Sequence, residues 1–187
     1  MVEVVQPDRW EVRDLKQLLA AVEESKEANK YLFIWDKQGM VARFMNYKAQ
    51  LESLGPAILN MALGRKTKEE VSEIIRKAFI YGMRQGETLC YDIDRTTPNF
   101  KELDIEGTFD ADLFFDYDKM TQEANFMPYV REHENCGIGG LNPGYGYCRS
   151  PDFGMVIRSG VDTAEEVQEQ ISHIPNFADN FMTIVIE

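Results

Sequence analysis

An amphipathic helix that runs straight into an apolar strand narrows this chain more than any other feature. Thr67 and Glu70 have the spacing of a capping box, and Val71, Ile74, Ile75, Ala78, Phe79 and Gly82 recur on one face of the helix that follows. Gly86 breaks the periodicity, and Glu87-Thr-Leu-Cys-Tyr-Asp-Ile93 then reads as a strand. A one-faced helix delivering the chain into a strand needs a sheet to cover, which is the rhythm of an α/β protein.

The rhythm recurs along the sequence. Val12, Leu15, Leu18, Leu19 and Val22 predict an amphipathic helix over about residues 11–28, and Tyr31-Leu-Phe-Ile-Trp35 a buried strand. Asp36-Lys-Gln-Gly39 reads as a turn, with Met40 to Met45 returning as a second strand. Ser53 to Leu63 reads as a helix stopped by Gly64. Asp112 to Asp116 suggests a short strand, and Lys119 to Arg131 a helix ended near Pro128. A glycine-rich loop occupies 136–152. Phe153 to Arg158 then gives a strand, Thr163 and Glu166 open a helix with a second capping box, and Phe181 to Ile186 is the last strand. The expectation is one domain over residues 1–187, a three-layer α/β fold with a mainly parallel central sheet, P-loop-like or Rossmann-like. The acidic segment Glu102 to Asp118 is expected as a surface excursion, because its carboxylates would otherwise be buried without partners.

A formal charge of −12 makes attraction to phosphate backbones or anionic headgroups unfavourable, so nucleic acid is not an expected partner. Other proteins, particularly those with basic surfaces, suit that field. Three cysteines, Cys90, Cys136 and Cys148, are an odd number and argue against a secreted disulfide scaffold. Met1 to Trp10 contains Glu3 and Asp8 and no continuous apolar run, so no signal peptide is expected there, and no run of about twenty apolar residues suggests membrane insertion. The cytoplasm is the expected location.

Several residue groups invite chemical readings. Asp92 and Asp94 fall at the end of a strand, where alternate carboxylates share a side and suit a divalent cation such as Mg²⁺, although strand-end aspartates also cap turns. Gly64-Arg-Lys66-Thr67 resembles a phosphate motif, but Arg65 is inserted and a helix precedes it, so a helix-helix corner is the simpler reading. His133, Cys136 and Cys148 supply three zinc-type ligands without a Cys-x-x-Cys pair. The loop from Gly137 to Tyr147 lacks the strand and helix that a dinucleotide fingerprint needs. Its Asn142, Tyr145 and Tyr147 instead make it the best candidate for partner contact.

Ala78, Gly86 and Leu89 to Asp92 form a helix, a glycine and a strand, and Phe153-Gly-Met-Val-Ile-Arg-Ser159 ends a strand in a small polar residue. This pattern, over residues 68–100 and 153–186, resembles the degenerate AAA modules of dynein-like motors. The resemblance implies that Asp92 stands at the acidic-strand position and Ser159 at the sensor position. The chain departs from the active pattern at Tyr31 to Trp35, which leads into Asp36-Lys-Gln-Gly39 with no phosphate-cradling glycines and no Gly-Lys-Ser/Thr. Modules lacking that loop are structural, so the resemblance implies scaffolding, with association to a cytoskeletal assembly.

The sequence therefore favours a noncatalytic binding or scaffolding module within a larger assembly. One competing expectation is a nucleotide or phosphate-ester enzyme, with Mg²⁺ on Asp92 and Asp94, Ser159 at the strand end, and Lys66, Thr67 or Lys37 near phosphate. The other is a recognition module stabilised by Zn²⁺ on His133, Cys136 and Cys148.

Overall fold

A computed structural model describes residues 6–142 and 144–187. Six strands, β1 (Glu11–Arg13), β2 (Tyr31–Asp36), β3 (Gln50–Ser53), β4 (Thr88–Asp94), β5 (Gly154–Ser159) and β6 (Phe181–Ile186), form one sheet in the order β1-β6-β2-β5-β4-β3. Every neighbouring pair is parallel. The helices are α1 (Leu18–Glu27), α2 (Met40–Lys48), α3 (Leu54–Ala62), α4 (Lys68–Gln85), α5 (Ala111–Phe114), α6 (Tyr117–Met120), α7 (Glu123–Phe126), α8 (Ala164–Ser172) and α9 (Phe177–Asn180).

Parallel strands need crossover helices, and these cover both faces of the sheet. On one face, Leu18, Ala21 and Val22 of α1 and Val41 and Met45 of α2 pack on Leu32, Ile34, Cys90, Val156, Ile184 and Ile186. The alternate residues, among them Tyr31, Phe33, Leu89, Tyr91, Met155 and Ile157, meet α3, α4 and α8 on the other face. The expected three-layer α/β architecture with a parallel sheet is the one observed.

The central strands are buried at every position in β2 and β5, which explains their unbroken apolar runs. Helices α4 and α8 begin where their capping boxes place them, with Thr67 and Thr163 accepting from Glu70 N and Glu166 N. Gly86 closes α4 at φ +74° and Gly64 follows α3 at φ +69°, both left-handed positions that favour glycine. No helix among the described residues is long and apolar enough to cross a membrane.

Four local expectations are corrected. Helix 11–28 begins only at Leu18: Glu11–Arg13 pairs with β6 as an edge strand, and Asp14 and Gln17 form a capping box around a separate 3₁₀ turn. Met40 to Met45 is helical. Gly39 turns the chain at φ +70°, and the Asp36 carboxylate accepts the N–H groups of Met40 (3.1 Å) and Val41 (2.9 Å), which starts a helix where periodicity alone suggested a strand. Asp112 to Asp116 is no strand either, because Asp110 caps one helical turn and Phe114 and Phe115 are both buried. The 119–131 helix is divided into single turns, with a 3₁₀ turn at Met127–Tyr129 around Pro128.

The acidic excursion is a cover on the core as well as a surface. Leu103, Phe109, Ala111, Phe114, Phe115 and Tyr117 are buried beneath it. Its carboxylates are turned outward, where Lys101 reaches Asp104 and Asp112, and Lys119 reaches Asp116.

Candidate functional site

In an open parallel sheet, ligands enter at the carboxyl ends of adjacent strands whose onward connections leave on opposite faces. Strands β2 and β5 are such a pair. The chain leaves β2 for α2 on one face and leaves β5 for α8 on the other. The crevice between them is bounded by Asp36, by Arg158 and Ser159, and by Asp92 and Asp94 at the end of β4.

Strand alternation decides what points there. Arg158 has the parity of Val156, Asp36 that of Ile34 and Asp92 that of Cys90, so all three side chains project to the α2 face. Arg158 is only 4% exposed and Asp36 is fully buried. Arg158 Nε donates to Asp36 Oδ2 (3.1 Å) and Nη2 to the Asp36 carbonyl (3.2 Å), while Nη1 donates to Asp92 Oδ1 (3.0 Å) and Asp94 Oδ1 (2.8 Å). Burial acts to lower the Arg158 pKa, but Asp92, Asp36 and Asp94 outweigh it, and the guanidinium is held charged, with its pKa above the ordinary value.

The backbone around the cluster is shaped for it. A bulge separates Asp92 from Asp94, and Asp94 adopts φ +47° with its N–H on Asp92 Oδ1 at 3.1 Å. Gln170 of α8 donates to the carbonyls of Asp94 (3.0 Å) and Thr96 (2.7 Å), fixing the loop beyond the strand. At Gly160 a Cβ would collide with Asp94 Oδ1 and lie 2.7 Å from Arg158 Nη1, so only glycine allows this approach.

The consequence is chemical. The amino end of α2 is where an anion would be received by free N–H groups and the helix dipole, and the Asp36 carboxylate already lies there. The carboxylates of Asp92 and Asp94, which suited Mg²⁺ in the sequence, face a guanidinium instead. Ser159 lies beside them in register with Trp35 and Asp94 but is fully buried on the opposite face, with its hydroxyl toward Val161 N. Trp35 Nε1 donates to Val161 O at 2.8 Å and tightens the same turn.

The remaining candidates lie elsewhere. Thr67 is the N-cap of α4, and Lys66 N donates to Asn60 O, so these residues build the helix-helix corner. Lys37 reaches Glu187 at 3.4 Å over the Trp35 ring. His133 and Cys136 share the wall of a cavity of about 670 Å³ between α4 and the glycine-rich loop, and Cys148 is not among its lining residues. Cys136 Sγ accepts from Arg84 Nη1 at 3.0 Å. Among the described residues no three His, Cys, Asp or Glu side chains converge as a metal-ligand set.

Within the loop, Tyr147 is corrected from contact residue to anchor: it is buried, and its hydroxyl donates to Ile80 O at 2.8 Å. Asn135 pins the loop at Gly144 O and Tyr147 N. Asn142 and Tyr145 are exposed, together with Ile138 and Leu141. Arg76, buried in α4, clamps the start of this region with paired contacts to Glu134 (2.7 and 2.9 Å) and Glu73 (2.6 and 2.8 Å).

Asp36, Arg158, Arg76 and Glu134 were not singled out by motif or spacing. The one available signal was a charge inside a buried run, as in Met-Val-Ile-Arg158, which requires a partner without naming it. Comparison of the chain with protein-family models, curated proteins and solved structures returns no match.

Proposed function

We propose that this chain is a noncatalytic protein-binding or scaffolding module of a larger cytoplasmic assembly, related to AAA modules that lack the phosphate loop. The observation that carries this reading is the sealing of the switch-point crevice. Arg158 fills it from β5, and Asp36 supplies from within the chain the anion that the α2 amino end would otherwise take from a ligand. A nucleotide enzyme needs both places open, with phosphate at the amides and metal on the carboxylates.

A binding role is also supported by the loop. Ile138, Leu141 and Tyr145 are each more than half exposed on a segment anchored at both ends by Asn135 and Tyr147, which is how a rigid scaffold presents a contact surface. Partners with basic surfaces suit the net charge of −12, and association with a cytoskeletal assembly belongs to the same proposal.

The test is affinity capture with the wild-type chain and with Ile138, Leu141 and Tyr145 changed together to Ser, alongside a nucleotide-turnover assay. The expected result is a stoichiometric protein partner that the triple variant loses, and no turnover. Recovery of chaperones alone, with measurable turnover of ATP or GTP, overturns the proposal.

A further inference from the structure

Among the described residues strand β3 forms one edge of the sheet, with β4 as its one strand neighbour. Beyond that ladder the backbones of Gln50, Leu51 and Glu52 make no hydrogen bond among the described residues, so a row of donors and acceptors faces outward. Side chains alternate across this edge. Leu51 packs toward the α1 and α2 face, whereas Gln50 and Glu52 line the 670 Å³ groove whose other walls include Ala78 and Tyr81 of α4 and Gly140 of the loop. The edge therefore adjoins a recess of mixed character, with Ile74, Ala78, Ile80 and the exposed Tyr81 on its apolar side.

The groove carries charges of both signs, with Lys77, Arg84 and His133 in its lining beside Glu52 and Glu134. Glu134 is already held by Arg76, but Glu52 has no cation within ion-pairing distance among the described residues. Its carboxyl is pushed above the ordinary value by loss of solvent.

We propose that the open edge of β3 receives an extended segment of another protein, which adds to the sheet as a further strand and sets a lysine or arginine against Glu52. Its main-chain groups pair with Gln50 to Glu52, and its alternate side chains enter the groove between α4 and the loop, the division of labour by which strand addition combines affinity with selectivity. This inference rests on the binding-module reading and names the surface and the kind of partner. A second copy of the chain fits less well: its own β3, Gln-Leu-Glu-Ser, has no cation to meet Glu52, and it brings another charge of −12 to the edge.

The experiment uses three end-blocked pentapeptides, Val-Lys-Val-Thr-Val, its Glu-for-Lys analogue, and a copy of the first that is N-methylated at alternate residues. Binding is read by fluorescence anisotropy and by amide exchange of the whole chain. The lysine peptide is expected to bind and to slow exchange at Gln50 to Ser53, the N-methylated copy to fail, and Glu52→Gln to weaken the lysine peptide about fivefold or more while leaving the glutamate peptide unchanged or tighter. Equal binding of the N-methylated copy, no binding by any peptide, or protection confined to residues 138–145 overturns the inference. So does concentration-dependent dimerisation that protects β3 without peptide. Each of these failures leaves the binding-module reading standing if the partner capture described above succeeds, so the two proposals fail separately.

Discussion

Arg158 Nε lies 3.1 Å from Oδ2 of Asp36, and the same carboxylate oxygen accepts the N–H of Val41 at 2.9 Å. One buried carboxylate thus neutralises a guanidinium from β5 and begins α2, so the sheet and the helix depend on each other at the place where related architectures admit a ligand. Desolvating these charges is costly, and the arrangement holds because each group meets several partners.

Arg158→Met removes the cation that three aspartates share. Loss of one partner from a buried charge cluster costs about 3–5 kcal/mol, readable as a lower urea midpoint with the slope unchanged. Asp36, Asp92 and Asp94 then lack a counter-ion, so millimolar Mg²⁺ is expected to recover part of the loss in the variant and to leave the wild type unmoved. A variant as stable as wild type, or a wild type equally stabilised by Mg²⁺, speaks against the role assigned to Arg158.

Gly160→Ala tests the packing of the same cluster. The added methyl meets Asp94 Oδ1 and both terminal nitrogens of Arg158, at 2.7 and 2.8 Å, and the expected cost is about 1–3 kcal/mol. Gly64→Ala is the control. It has open space around it but a left-handed backbone, so its cost is about 1–2 kcal/mol from conformation alone. Only Gly160→Ala should also change amide exchange at Asp94 to Thr96.

Acid should loosen the start of the glycine-rich loop before the sheet. Arg76 holds the Glu73 carboxyl below its ordinary value through hydrogen bonds; at Glu134 burial acts upward, but Arg76 outweighs it and the net shift is also downward. Stability from lowered carboxylates is present above the ordinary carboxylate range and is lost as pH falls through the depressed values. Amide exchange over residues 129–136, corrected for its intrinsic pH dependence, is expected to accelerate below about pH 4. Arg76→Met should show the loosened state already at pH 7, and Arg76→Lys should not restore the paired contacts.

Glu52 carries the opposite sign. Its carboxyl is raised by burial, so the folded state is disfavoured by ionisation: the cost is absent below the ordinary carboxylate value and complete above the raised one. Glu52→Gln should therefore raise the melting temperature at pH 7 and leave it nearly unchanged at pH 4. The same change at both pH values would place the effect in packing instead of charge.

Much of the fold was legible because the signals were local. Two capping boxes located α4 and α8, and unbroken apolar runs located β2 and β5. Met40 to Met45 misled because Val41 and Met45 fit a helix face as well as Phe44 fits a strand, and the deciding group, the Asp36 carboxylate, lies outside the window. The site was half legible for a related reason. Asp92, Asp94 and Ser159 were placed correctly at strand ends, but Arg158 is separated from Asp36, Asp92 and Asp94 by 122, 66 and 64 residues. Only strand order brings them together, and strand order is not written in local pattern.

The most direct test of the sealed crevice is isothermal titration of the wild-type chain with MgATP and MgGTP, paired with Asp92→Ala. The account predicts no saturable heat for either nucleotide. Stoichiometric binding that Asp92→Ala abolishes, with the nucleotide phosphates found against the amides of Met40 and Val41, would contradict it.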